Sequence, residues 1–176
     1  MINIPNMLTM FRLLLVPPMA IYLLQGNHAA AGWLFAVAAL TDFADGWIAR
    51  RFDQATTFGR LVDPVADKLL VGTATALLWW TGLLPTWFAA VVALRETFIL
   101  AAGLYARVSG RSDEIRPGLF GKAGAAAQMV LIALILLPLP AAVKSPQVLS
   151  GLMIAATAFT LISAGRYALR FTPPPR

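Results

Sequence analysis

Cysteine is absent from this chain, which excludes disulfides and thiolate metal sites and says nothing about compartment. Charge is scarce as well: Lys, Arg, Asp and Glu make up 12% of the 176 residues against 59% hydrophobic. The single histidine, His28, falls in a loop with no partner in view. A mean hydropathy of +0.74 on such a composition excludes an ordinary soluble domain and describes a membrane protein. The net charge of +6 and pI near 10.5 raise the question of nucleic acid. A nucleic-acid binder gathers its cations into a patch or stripe. Here they punctuate apolar segments and collect in the connections, so that class is excluded.

What is present is a series of apolar runs. The first, Leu13 to Leu24, followed by Ala29 to Ala31, has the outline of a signal peptide. Arg12 is the only positive side chain before it, Pro17 and Pro18 interrupt it, and five further apolar segments follow, so it is read as a first span. The spans run from about Leu8 to Leu24, Ala29 to Arg50, Phe58 to Leu83, Leu84-Pro85 to Val108, Pro117 to Leu137, and Val148 to Leu169. Each has about the 20 residues that a bilayer requires. The expected fold is therefore an all-α integral membrane domain, residues 1–176, with six transmembrane helices. Ile2 to Asn6 form a short interfacial helix ahead of them. Pro64 is placed near the start of the third span, where a missing N–H matters least.

Orientation follows from the cations. Arg50, Arg51, Arg60, Arg107, Arg111, Arg116, Lys122, Arg166, Arg170 and Arg176 fall on one side, and Lys144 alone is clearly on the other. Both termini are then cytoplasmic, in a bacterial-type inner or plasma membrane. Trp79, Trp80 and Trp87 bracket the outer end as an aromatic belt, and Arg12 snorkels to the interface. Gly72, Ala74 and Ala76, with Gly121 and Gly124 to Ala127, supply small surfaces for close helix packing.

Against that background the stretch Asp42 to Asp67 stands out, with the pattern D-x2-D-G-x2-A-R-x8-G-x3-D-x3-D. Residues three or four apart share a helical face, so Asp42 and Asp45 align with Gly46 and Ala49, and Asp63 aligns with Asp67. Side by side, two such helices bring four carboxylates together. A low-dielectric site cannot hold that charge without a cation, and hard oxygen ligands select Mg2+ or Mn2+. Structural salt bridges, such as Asp67 with Lys68 or Arg50 with an aspartate, are the plainer explanation. They account poorly for Asp42 and Asp45, which have no basic residue within the two preceding turns.

Gly46 and Ala49 leave room for a ligand to approach the backbone, and Arg50 can present its planar fork to a phosphate. Metals, a small-residue notch and an arginine together describe a pyrophosphate site, in which two divalent ions orient an attacking hydroxyl and a carboxylate acts as base. Arg60, Arg95, Arg116 and Lys122 are candidates for a second phosphate, against a plain anchoring role for Arg116 and Lys122. Arg95 lies deeper, balanced by Glu96 through a neighbouring helix, since adjacent residues do not face each other.

The eight fixed positions of this pattern resemble the signature of the CDP-alcohol phosphotransferases, membrane enzymes of phospholipid synthesis. The resemblance implies six transmembrane helices, a homodimer and two divalent metals between the second and third helices. It implies that Asp42, Asp45, Asp63 and Asp67 are metal ligands, that Asp67 is also the general base, and that Asp42, Gly46, Ala49, Arg50 and Gly59 hold the cytidine diphosphate group. It extends along the chain: Asn3-Ile4-Pro5-Asn6-Met7-Leu8-Thr9 with Arg12 and Pro17 is similar to both phosphatidylglycerophosphate synthases and cardiolipin synthases. Arg95-Glu96 with Tyr105-Ala106-Arg107, and Thr157-Ala158-Phe159-Thr160, look more like cardiolipin synthases. The implied reaction moves the phosphatidyl group of CDP-diacylglycerol to an alcohol and releases CMP. Phosphatidylglycerol is the first choice of acceptor and glycerol 3-phosphate the second. A different class, a cation transporter, would need carboxylates near the midplane and access from both sides; the opposite face offers no charged vestibule.

Overall fold

The computed structural model of the protein describes the backbone of residues 4–52, 57–108 and 118–171, and the side chains of 6–42, 65–101 and 118–165. Six α-helices make up the described fold: α1 (Ile4–Leu24), α2 (His28–Phe52), α3 (Thr57–Trp80), α4 (Thr86–Val108), α5 (Leu119–Leu136) and α6 (Pro146–Phe171). Among the described residues, three of them contain stretches long and apolar enough to cross a membrane: Asn6–Leu24, Leu119–Leu136 and Pro146–Gly165.

Local chemistry sets the ends of these helices. Gly26 and Gly82 take φ +75°. At each, the glycine N–H bonds three residues back and the next N–H bonds five back, the double bond of a glycine-terminated helix. Asn27 Oδ1 then accepts from the Ala30 N–H and starts α2. Leu137, ahead of Pro138, is extended and ends α5. The Lys144 ammonium donates to the Ile135 carbonyl at 2.9 Å, covering the last turn. Ser145 accepts from the Val148 N–H, and Pro146 occupies the first helical position, so α6 begins two residues before the hydropathy suggested.

Two local expectations are corrected. Ile4 to Asn6 form the first turn of α1, so the described part of the lead is no separate interfacial helix. The first span itself is continuous as expected, with Pro17 and Pro18 inside α1. Because α3 starts at Thr57, Pro64 lies well inside it and not in its first turn.

α1 packs on α2 and α3, α5 packs on α6, and α2 meets α5, joining the two groups. The core between them includes Phe35, Leu70, Leu78, Phe88, Leu131 and Leu136. Gly32 carries the α2–α5 contact: a Cβ there would lie 2.8 Å from the Leu136 carbonyl carbon and 2.9 Å from the Leu137 nitrogen. Gly121 and Gly124 face Ser163 and Phe159 of α6, as small packing residues should. Gly72 faces open space and Ala76 is exposed, so that part of the expected small-residue surface is not used. Large apolar side chains such as Leu14, Leu40, Leu69, Leu94, Val130 and Ile154 point outward from all six helices, while Arg12, Thr75 and Gln128 are buried. That inversion suits a lipid exterior. Trp79, Trp80 and Trp87 are exposed where α3 meets α4, and Trp79 Nε1 donates to Thr86 Oγ1 at 3.1 Å.

Candidate active site

The acidic pattern divides between two consecutive helices. Asp42, Asp45, Gly46, Ala49 and Arg50 belong to the second half of α2, and Gly59, Arg60, Asp63 and Asp67 to the first half of α3. Of these, the side chains of Asp42 and Asp67 are described. Those of Asp45, Gly46, Ala49, Arg50, Gly59, Arg60 and Asp63, and the whole of Arg116, lie outside the described residues. No group of three or more potential metal ligands therefore comes together among the described residues.

Asp42 is held by an ion pair. Arg12 Nη1 of α1 lies 2.7 Å from Asp42 Oδ1, with the arginine side chain fully buried and the aspartate 34% exposed. This corrects two expectations. Arg12 does not snorkel to the interface, and Asp42 does have a basic partner, which arrives from another helix and not from the preceding turns. One oxygen of Asp42 is thereby fixed in orientation, as outer partners fix ligating carboxylates.

Asp67 is in the opposite condition. Its charged neighbours are Asp42, Glu96, Arg12 and Lys68. Its Oδ1 is nevertheless buried with no hydrogen bond among the described residues. A buried oxygen without a donor is unfavourable by about 1–3 kcal/mol unless something else approaches it. A buried carboxylate oxygen with no donor among the described residues, in a chain without cysteine, fits a divalent cation.

Lys68, beside Asp67 in the chain, does not pair with it. The Lys68 ammonium donates to Glu96 Oε2 at 2.6 Å, reaching from α3 to α4. Glu96 Oε1 accepts from Arg95 Nη1, and Arg95 Nη2 reaches the Gly121 carbonyl of α5 at 3.1 Å. Arg95 and Glu96 thus pair directly, without the intermediate helix expected of adjacent residues. Both side chains are long enough to bend toward each other at the helix surface. Sequence reasoning left Lys68 and Glu96 without a functional role. An ionisable pair inside an apolar span was the available signal.

A cavity of about 930 Å³ adjoins this network. Asp67, Arg95, Gly121 and Lys122 line part of it, and Leu94, Phe98, Ile99, Ala125, Leu161 and Ala164 supply apolar walls from α4, α5 and α6. The space exists because α4 packs only on α3 and α6 among the described elements, leaving the Arg95 side chain to span to α5. Leu94, Phe98 and Leu161 are exposed, so the cavity is open on its flank between α4 and α6. A cavity wall made of one acid, two cations, three hydroxyl side chains (Thr97, Thr160 and Ser163) and otherwise mainly apolar surface can take an amphiphile with an anionic head.

The comparisons decide the family. A family model described as CDP-alcohol phosphatidyltransferase matches residues 2–162. The chain belongs to the CDP-alcohol phosphatidyltransferase family. A relative from Drosophila melanogaster, named probable cardiolipin synthase (CMP-forming), is 44% identical over 106 residues, 60% of this chain and 33% of the relative. The chain thus spans a third of that protein's length. A relative from Escherichia coli (strain K12), named CDP-diacylglycerol–glycerol-3-phosphate 3-phosphatidyltransferase, is 40% identical over 143 residues, 76% of each chain. A protein of the same name from Shigella flexneri serotype 5b matches to the same extent. The first name states cardiolipin synthesis with CMP formation, the second phosphatidyl transfer between CDP-diacylglycerol and glycerol 3-phosphate.

Proposed function

We propose that this membrane protein transfers the phosphatidyl group of CDP-diacylglycerol to a hydroxyl of phosphatidylglycerol, forming cardiolipin and releasing CMP. Asp42, Gly46, Ala49, Arg50 and Gly59 hold the cytidine diphosphate group. Asp67 removes the proton from the acceptor hydroxyl; the oxygen bonds to the phosphorus bearing diacylglycerol, and the bond from that phosphorus to the CMP oxygen breaks. Asp42, Asp45, Asp63 and Asp67 would hold two divalent ions, Mg2+ or Mn2+, which when bound neutralise charge on the pyrophosphate. Arg95 and Lys122, with Arg60 and Arg116, hold the acceptor's phosphate.

The observation that carries the choice of acceptor is the cavity beside Asp67. Its volume of about 930 Å³ lies near the top of the range for small-molecule sites. A three-carbon phosphate ester needs a small basic pocket, whereas a phospholipid needs a lateral, apolar way in. The opening between α4 and α6, flanked by Leu94, Phe98 and Leu161, supports the lipid. Six spans with both termini and the site on the cytoplasmic side, and a homodimer, complete the proposal. The cation distribution supports the orientation, and the family resemblance supports the dimer.

One observation favours glycerol 3-phosphate as the acceptor instead: the Escherichia coli relative named for that substrate aligns over 76% of both chains. Purified protein given labelled CDP-diacylglycerol and each acceptor in turn separates the two. Cardiolipin is the expected product. Phosphatidylglycerophosphate formed without cardiolipin would replace the first acceptor by the second.

A further inference from the structure

We infer that Glu96 is a positioning residue: by engaging Lys68 across the α3–α4 gap, it keeps that ammonium off the neighbouring Asp67 carboxylate. The inference rests on Asp67 serving as the base. Two observations meet here. Lys68, next to Asp67 in the chain, is drawn to Glu96 Oε2 at 2.6 Å, while the buried Asp67 Oδ1 has no hydrogen bond among the described residues. Adjacency alone would not prevent a Lys68–Asp67 contact. Arg95 and Glu96 are equally adjacent and do pair, so a long cationic side chain at a helix surface reaches the carboxylate beside it.

Without Glu96, the Asp67 carboxylate, next to Lys68 in the chain and within reach of its charge, is left to compete for the ammonium. An ammonium placed on Asp67 would hold its oxygen in a hydrogen bond, oppose proton uptake, and exclude a dication from the same atom. Glu96 can serve in this way because Arg95 shares its charge. One carboxylate faces two cations, and its oxygens divide between them.

The test uses the full chain in detergent or nanodiscs, with two readouts: CMP release with whichever acceptor the wild type uses, and Mn2+ binding followed by electron paramagnetic resonance without substrate. Glu96→Gln is expected to lower kcat and weaken Mn2+ binding by about 10- to 100-fold, the range for outer partners of metal ligands. Adding Lys68→Gln to that variant should restore both to within about threefold, because the intruding cation is gone. A merely structural role predicts the reverse, since the double variant would lose both ends of the α3–α4 link. Should Glu96→Gln fail to fold, Glu96→Asp with and without Lys68→Gln is read in the same way. No rescue in either readout, or wild-type behaviour of the single variant, overturns the inference alone. Turnover retained by Asp67→Asn overturns the base assignment and this inference with it.

Discussion

The Arg12–Asp42 pair makes a prediction that depends on which partner is removed. Arg12 is fully buried and Asp42 is 34% exposed, so the two charges differ in what water can do for them. Asp42→Asn takes the carboxylate from a guanidinium that water cannot reach. Losing one partner of a buried pair is unfavourable by about 3–5 kcal/mol when nothing else compensates the remaining charge, and the Asp67 carboxylate, which also feels the Arg12 charge, brings the loss to the low end, about 3 kcal/mol. For this pair, Arg12→Gln leaves a carboxylate that hydration can compensate while the Gln amide keeps polar atoms for the other contacts of the site, so the pair's share of the loss falls toward the 0–1 kcal/mol of an exposed pair, about 1 kcal/mol. At about 2–4 °C per kcal/mol for a chain of this size, Asp42→Asn should lower the melting temperature several times more than Arg12→Gln. The melts are run in detergent with chelator present, so that a lost metal ligand does not enter the comparison. A double variant, Arg12→Met with Asp42→Leu, should recover most of the stability while remaining inactive, because an apolar pair replaces a buried ionic one without an uncompensated charge. Equal losses for the two single variants, or a larger loss for Arg12→Gln, would refute the assignment of Arg12 as the buried partner.

Two further outcomes follow from the same coordinates. Asp67→Asn should abolish CMP release while leaving the melting temperature within a few degrees, since Oδ1 has no hydrogen bond among the described residues to lose; measurable turnover would remove Asp67 as base. Glycine-to-alanine substitution should have opposite signs at two helical sites. Gly32→Ala drives a methyl into the backbone at Leu136 and Leu137 and should destabilise by about 1–3 kcal/mol, whereas Gly72→Ala meets nothing within 4 Å and should stabilise by about 0.5–1 kcal/mol; a thermal melt of each decides.

The helices were legible because a run of about 20 apolar residues is local information. Their ends were less so: hydropathy began the sixth span at Val148 and ended the third at Leu83, whereas the Ser145-Pro146 start and the positive-φ Gly82, local signals that hydropathy does not weigh, set those ends. The division of the eight-position pattern between two consecutive helices was legible from its spacing, and the backbone of α2 and α3 carries it so. The missing parts are the cross-helix partnerships: Arg12 with Asp42, Lys68 with Glu96, Gly32 against Leu136. In a soluble protein, amphipathic periodicity would have said which face of each helix turns inward. Here the outward faces are as apolar as the core, so periodicity carries little of that information, and the partner of a charge cannot be found by looking along its own helix. What does survive is the rarity of charge. An ionisable side chain inside an apolar span must find a partner or be unfavourable, so Arg12, Lys68, Arg95 and Glu96 could each have been assigned a missing counter-charge before any coordinates existed. Pairing them is a small combinatorial problem, because opposite charges must also lie at similar depths. By depth alone, counted from the helix ends, Glu96 of α4 belongs near the level of Lys68 of α3, and Arg12 of α1 near that of Asp42 of α2. For a chain of this composition, charge and depth together are therefore a better guide to the interior than hydrophobic periodicity.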